Sequence, residues 1–303
     1  MIQYYQEIRD GDSICSIDMV RLSLDFSSET RIQTFGDWLS NPCSHIFVEM
    51  YPLSTRAFAF RHLFKITCSN NCSFVIGLSF NGVDKDSYYR GFMEFNPNKV
   101  AREREFREVF SMLQDYCFCA EISRWDLAVD VNIRRDRCVL RKDKRSYHLF
   151  QNSLLDKDEK LGQRNKSGYV KLYNKTLESD LDYDDTRLEI TVDGKFVYDD
   201  FVKILPRVDV RGDQQNLDPY VNLSGTDLVL YELLMRCDLT ERREYLKRLG
   251  RRKAEILKPY VQGSLYDSDK FVVSKETYRQ LKIQLREWTI GIKYSLLDDI
   301  KEY

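Results

Sequence analysis

The sequence predicts an α+β fold: two pseudo-symmetric antiparallel β-sheet halves with flanking helices, followed by a helical C-terminal region. Three observations carry this. Residues 13–28, 122–133 and 186–192 alternate apolar and polar side chains with the period of two that marks a half-buried strand. Two pieces of this pattern recur. V-R-L-S-L-D-F at Val20–Phe26 matches S-R-W-D-L-A-V-D-V at Ser123–Val131 in type, and G-F-M-E-F at Gly91–Phe95 matches T-R-L-E-I at Thr186–Ile190. From about residue 199 the apolar spacing becomes helical.

The first half, 1–116, opens on the strand 13–28 and a short helix at 31–40. Strands follow at 44–51, 57–68, 73–79 and 88–95, and Asn96-Pro97-Asn98 reads as a turn. A charged helix over 100–116 carries Val100, Phe106, Phe110 and Leu113 at helical spacing. The second half, 117–200, holds the strands 122–133, 167–178 and 186–192, with a long basic connection over 134–168. In the third region, 201–303, Ser224-Gly225-Thr226-Asp227 caps a leucine-rich helix, and Thr240 opens a basic helix stopped by Pro259. Ser274-Lys275-Glu276-Thr277 starts a last helix, with Tyr278, Leu281, Leu285, Trp288, Leu296 and Leu297 on its packing face.

A chain of 303 residues can fill two domains. Its net charge of −1 excludes a uniformly basic nucleic-acid binder. Charge is nonetheless segregated. From Arg134 to Lys175 thirteen basic residues face five acidic ones, and from Thr176 to Asp200 nine acidic residues face Arg187 and Lys195. A basic stripe beside an acidic patch suits phosphates on one side and a cation on the other, although charge runs are more often solvated loop faces. No run approaches the ~20 apolar residues of a membrane span, and the polar first ten residues predict no signal peptide. The eight cysteines therefore read as free thiols of a cytoplasmic protein. Cys68 and Cys72, and Cys117 and Cys119, lack the spacing of a zinc finger.

The candidate chemistry lies in Ser167–Glu178, S-G-Y-V-K-L-Y-N-K-T-L-E. Read as one strand, it puts Tyr169, Lys171, Tyr173 and Lys175 on one face, Val170 and Leu172 on the other. Tyrosine can act as a covalent nucleophile, and ammonium groups beside a phenol favour the phenolate. Most strand tyrosines only pack and make one hydrogen bond, and this chain has nineteen. The neighbouring strands add carboxylates on their polar faces: Asp126 and Asp130 beside Arg124, and Glu189 beside Arg187. Acidic residues are depleted in strands, so their presence in apolar-patterned ones calls for a reason. Two carboxylates and water can hold Mg²⁺ or Mn²⁺. Asp126 and Asp130 stand about 13 Å apart on a regular strand, too far to share one ion directly.

The order R-W-D-L-A-V-D, K-L-Y-N-K-x-x-E and R-L-E-I resembles the replication initiation factors of rolling-circle plasmids and phages, over roughly residues 15 to 235. Conjugative-element relaxases share the pattern. The resemblance implies a tyrosine nickase: Tyr173 as nucleophile, Lys171 and Lys175 assisting it, and Glu189 with Asp126 or Asp130 holding Mg²⁺ or Mn²⁺. It implies the duplicated fold, origin DNA with a single-stranded or cruciform nick site as substrate, a helicase partner, a homodimer and a cytoplasmic, plasmid- or phage-encoded setting in bacteria. Arg124, Arg141, Lys142, Lys144, Arg145 and Arg187 become candidate DNA contacts. Two other readings use the same residues: a mobilisation relaxase with the same chemistry, and a non-catalytic, sequence-specific DNA-binding protein in which Tyr173 packs or stacks.

Overall fold

A computed structural model describes residues 7–42, 45–52, 62–79, 89–153, 155–211, 219–261, 265–267 and 269–291. The first half comprises β1 (Ile8–Asp10), β2 (Ser13–Phe26), α1 (Glu29–Ser40), β3 (Phe47–Pro52), β4 (His62–Thr67), β5 (Ser73–Leu78), β6 (Tyr89–Phe95), α2 (Pro97–Val100) and α3 (Arg104–Tyr116). The second comprises β7 (Cys119–Val131), β8 (Cys138–Leu140), β9 (Tyr147–Gln151), β10 (Lys157–Leu161), β11 (Val170–Asn174), α4 (Lys175–Ser179) and β12 (Thr186–Asp193). Then come α5 (Tyr198–Ile204), β13 (Val208–Arg211), α6 (Pro219–Asn222), α7 (Gly225–Arg236), α8 (Leu239–Arg248), α9 (Arg251–Val261), β14 (Leu265–Asp267) and α10 (Lys275–Arg286).

Among the described residues one antiparallel sheet runs β3-β4-β5-β6-β2-β7-β12-β11-β10-β9, with β1 beside β2. The order shows the pseudo-symmetry. Outward from the central β2–β7 pair, each half places its last strand next, then the earlier ones in reverse. The expected recurrence therefore has a structural meaning: Gly91–Phe95 lies in β6 and Thr186–Ile190 in β12, and each strand flanks its half's long central strand.

One face of this sheet is the core. Trp125, Leu127, Val129 and Val131 from β7 are buried with Leu188, Ile190 and Val192 from β12. Helices α1, α3 and α10 cover that face. Phe95 meets Phe106 of α3 at 4.9 Å between ring centroids, and Trp125 meets Tyr278 of α10 at 5.8 Å. Burying each such aromatic side chain contributes roughly 1.5–3 kcal/mol. The core is continuous across both halves, so they share one apolar layer.

The C-terminal region departs from an all-helical reading. Strands β13 and β14 form a small sheet with β8, because Val208 and Val210 bury against Cys138 and Leu140. Helices α6–α9 close a separate small core of Leu223, Tyr231, Leu234, Met235, Leu246, Leu257 and Val261. The last helix instead packs on the main sheet. Parts of four predicted elements, 44, 57–61 and 88 of three strands and Leu296 and Leu297 of the last helix, lie outside the described residues, as does Cys43. The described cysteines are free thiols.

Candidate active site

The strand read over Ser167–Glu178 is shorter than expected. It begins at Val170, after Gly168 turns the chain at φ +80°, and ends at Asn174. Asn174 caps α4 by accepting a hydrogen bond from the Leu177 amide. Lys175 is thus the first residue of a helix and bonds to Glu178 at 2.5 Å. The expected Lys171/Lys175 pair around Tyr173 is not formed: the asparagine cap stops the alternation before Lys175.

Register then builds the site from two adjacent rows across the polar face. In one row Lys160 pairs with His148 and Lys171, Lys171 with Glu189, and Glu189 with Ala128. In the next, Tyr173 pairs with Arg187 and Arg187 with Asp130. Directly opposed residues point to the same side of an antiparallel sheet, with Cβ atoms about 5 Å apart. The three strands anticipated to share a face, β7, β11 and β12, do share it.

Glu189 is the centre of this arrangement and is 5% exposed. The Tyr173 hydroxyl donates to Glu189 Oε1 at 2.5 Å, and the Lys171 ammonium donates to Oε2. Burial and the Glu189 charge push the Tyr173 phenol well above its ordinary value, and Arg187 opposes them. This reverses the expectation that lysines would favour a phenolate. Lys171 is committed to Glu189, Lys175 to Glu178, and the nearest charge to the phenol is negative. Burial works against the Lys171 ammonium, but Glu189 outweighs it and raises its pKa.

Arg187 holds the next row. Its Nε and Nη2 donate to Asp130 at 2.5 and 2.6 Å, and its Nη1 reaches Asp18 at 3.2 Å. Asp18 was not legible as a site residue. It sits where the β2–β7 register slips between Ile17 and Met19, so alternation assigns it no face. The bulge turns its carboxylate toward Arg187, and Asn96 at the end of β6 donates to it at 3.2 Å. Burial and Glu189 both raise its pKa. Asp126 lies one row beyond Glu189, opposite Thr191. Burial raises its pKa while Thr191 opposes, and its Oδ1 is buried without a hydrogen-bond partner.

Mg²⁺ or Mn²⁺ can be tested against these donors. Both oxygens of Asp130 are taken by one guanidinium, and those of Glu189 by a phenol and an ammonium. Of these three carboxylates, Asp126 alone has an oxygen without a hydrogen-bond partner. No three His, Cys, Asp or Glu side chains among the described residues are grouped to hold a metal ion. As arranged, Glu189, Asp126 and Asp130 do not fit a divalent-ion centre.

The site opens into a cleft of about 1050 Å³ lined by Tyr173, Lys171, Glu189, Tyr169, Lys160 and Phe150, among others. Tyr169, which the strand reading sets on the same face as Tyr173, is 9% exposed, and burial raises its pKa while Lys171 and Arg164 oppose. Tyr183 is exposed in the acidic loop and belongs to neither row. The basic candidates are mostly engaged. Arg124 pairs with Glu94 at 2.8 Å, Arg141 with buried Asp209 at 2.8 Å, Lys142 with Asp238 at 3.0 Å and Arg145 with Asp143. Lys144 is exposed. Arg135, in the same basic run, is buried against Glu159 on the opposite face of the sheet. Burial opposes the Glu159 charge, but Lys157 and Arg135 hold its carboxyl down to about 2.

Among the described residues the first half has no matching centre. Glu94 answers Glu189 but is held by Arg21 and Arg124. Val75 pairs with Glu94 where Lys171 pairs with Glu189. The position answering Tyr173 is Gly77, over which Phe92 lies so closely that a Cβ would meet its ring at 2.2 Å. Arg21 stacks on that ring at 3.9 Å.

No family model matches this chain, and no curated protein matches it. Among solved structures the chain is similar to a rolling circle replication initiator protein from Geobacillus stearothermophilus. The identity is 11% and the TM-score 0.39, with 74% of this chain and 97% of that one covered. No described helix is long and apolar enough to cross a membrane.

Proposed function

We propose that the protein initiates rolling-circle replication by nicking one strand of origin DNA through a phosphotyrosyl intermediate on Tyr173, and later reseals it. The observation that carries this reading is the 2.5 Å bond from the Tyr173 hydroxyl to Glu189, with Lys171 on the second carboxylate oxygen. A nucleophile beside a base, with the base oriented by a third group, is the arrangement of an activated nucleophile. The motif order around these residues resembles the initiator family in the same register.

In this mechanism Tyr173 Oη bonds to phosphorus as the bond from phosphorus to the 3′ oxygen breaks. The phenol proton passes to Glu189 Oε1, and the departing oxygen takes a proton from water. Lys171 holds the carboxylate in place, and Arg187, next to Tyr173 in the row, favours the negative charge that develops on the phenol oxygen. In reversal the free 3′ hydroxyl attacks phosphorus and loses its proton to solvent, while the bond to Tyr173 Oη breaks and Glu189 returns its proton to the tyrosine. One phosphodiester is exchanged for another, so no external energy source is required.

The test is to trap the adduct on an origin-bearing oligonucleotide and map the modified peptide by mass spectrometry. An adduct on Tyr173 that Tyr173→Phe abolishes is expected. An adduct on Tyr169, or none at all, would overturn the assignment.

A further inference from the structure

The cleft extends beyond Glu189 and Tyr173 onto β10 and the edge strand β9, and this part takes no role in the chemistry above. Phe150 stands there with 59% of its surface exposed, although it is a large aromatic on a strand. Its pairing partner is Asp158. Continuing the β10–β11 register one step from Glu159↔Leu172 sets Asp158 beside Tyr173. Phe150, Asp158 and Tyr173 therefore form one cross-strand row on the polar face, with the ring two strand spacings, roughly 10 Å, from the nucleophile. Lys160 lies 4.5 Å from the centre of the Phe150 ring.

Charge argues against a duplex-binding groove here. The cleft is lined by Asp18, Asp156, Asp158, Glu178 and Glu189 against Lys160, Arg164 and Lys171. A duplex backbone draws its affinity from cations, which are outnumbered. What the subsite offers is one exposed ring face, the kind of platform on which unpaired bases stack. The neighbouring carboxylate accepts hydrogen bonds from a base amino group, as acidic residues do from cytosine N4.

We infer that Phe150 stacks an unpaired, amino-bearing base adjoining the scissile phosphate, and that Asp158 reads its amino group. The inference rests on the nicking reading for the identity of the neighbouring phosphate. It makes the substrate of this site single-stranded DNA with C, A or G, and not T, at that position.

The test measures binding of fluorescein-labelled oligodeoxynucleotides by anisotropy: a mixed-sequence single strand, its duplex, oligo(dC) and oligo(dT). Phe150→Ala should weaken single-strand binding by about 5- to 150-fold, the range for loss of one base–aromatic stack. Phe150→Trp should retain it, and duplex binding should not change. Asp158→Asn should erase a preference for oligo(dC) over oligo(dT). Phe150 is exposed, so the alanine variant should keep the wild-type circular dichroism and melting. Unchanged single-strand binding in Phe150→Ala, or equal weakening for the duplex, overturns the stacking role. No base preference in the wild type overturns the reading by Asp158. Adduct trapping and the Phe150 dependence of binding separate this proposal from the nicking one: no adduct in the wild type with intact Phe150 dependence defeats nicking alone, and a wild-type adduct without Phe150 dependence defeats stacking alone.

Discussion

The Arg187 guanidinium lies across both oxygens of Asp130 and extends a third bond to Asp18, so one side chain of the second half is tied to a bulge in the first. Both members of the Arg187–Asp130 pair are nearly buried, with side-chain exposures of 10% and 12%. Removing Asp130 leaves the buried Arg187 charge with only its single bond to Asp18, and breaking such a buried pair costs up to about 3–5 kcal/mol. Asp130→Ala should therefore lower unfolding free energy in urea, by no more than about that amount. Replacing all three charges, as Asp130→Leu with Arg187→Met and Asp18→Asn, should recover most of the loss. A single-variant loss below about 1 kcal/mol would show the pair to be solvated.

Asp185 gives the expected pH dependence. Burial first, and then the Asp130 charge, push its carboxyl up to about 6, with Arg187 and Lys175 opposing. An unfolded aspartate titrates near 3.9, so between about pH 4 and 6 the folded chain holds a proton that the unfolded chain releases. Its contribution is complete below about pH 3.9 and is lost as pH rises through about 6. Asp185→Asn should thus melt like the wild type near pH 4 and above it at neutral pH, with the difference opening between the two pKa values. Melting curves across that range check it; a difference that does not vary with pH contradicts it.

Glu189 has two separable effects on Tyr173. Its charge disfavours the phenolate, and its oxygen receives the phenol proton. Glu189→Gln should therefore let Tyr173 titrate at lower pH while slowing nicking by about 10²–10⁴-fold, the usual contribution of a positioned base. Ultraviolet titration, with Tyr173→Phe as the blank, reads the first effect and a supercoiled-DNA nicking assay the second. Nicking that rises along with the easier ionisation would make Glu189 a brake and not a base.

The long alternating strands were legible because burial on one face writes a period of two into the sequence. That periodicity puts Glu189, Tyr173, Asp126 and Asp130 on the polar faces of their strands, and the strand order then makes these one surface. It could not find Asp18, because a bulge shifts the parity of every residue after it. It misjudged Lys175, because one asparagine side chain ended the strand and began a helix. Phe150 gave no signal, since an exposed aromatic on an edge strand looks like any other member of an aromatic-rich chain. Partners of charged residues were also hidden. The basic run from Arg134 reads as one DNA-facing stripe, yet Arg135 is buried against Glu159 and Arg141 pairs with the buried Asp209.

That last difference changes what charge reversal should do. Asp209 is 1% exposed and pairs with Arg141, so Arg141→Glu would set a second carboxylate against a buried one. It should destabilise the small sheet of β8, β13 and β14, and any loss of DNA binding would follow from that damage. Lys144 is exposed in the same connection, and no such cost attends its reversal. If Lys144 neutralises one phosphate, Lys144→Glu should weaken binding to all sequences alike. It should also reduce the slope of log affinity against log salt by about 0.7–0.9, the value for one contact. Its melting temperature should stay at the wild-type value while that of Arg141→Glu falls. A salt slope unchanged in Lys144→Glu would remove this connection from the DNA footprint.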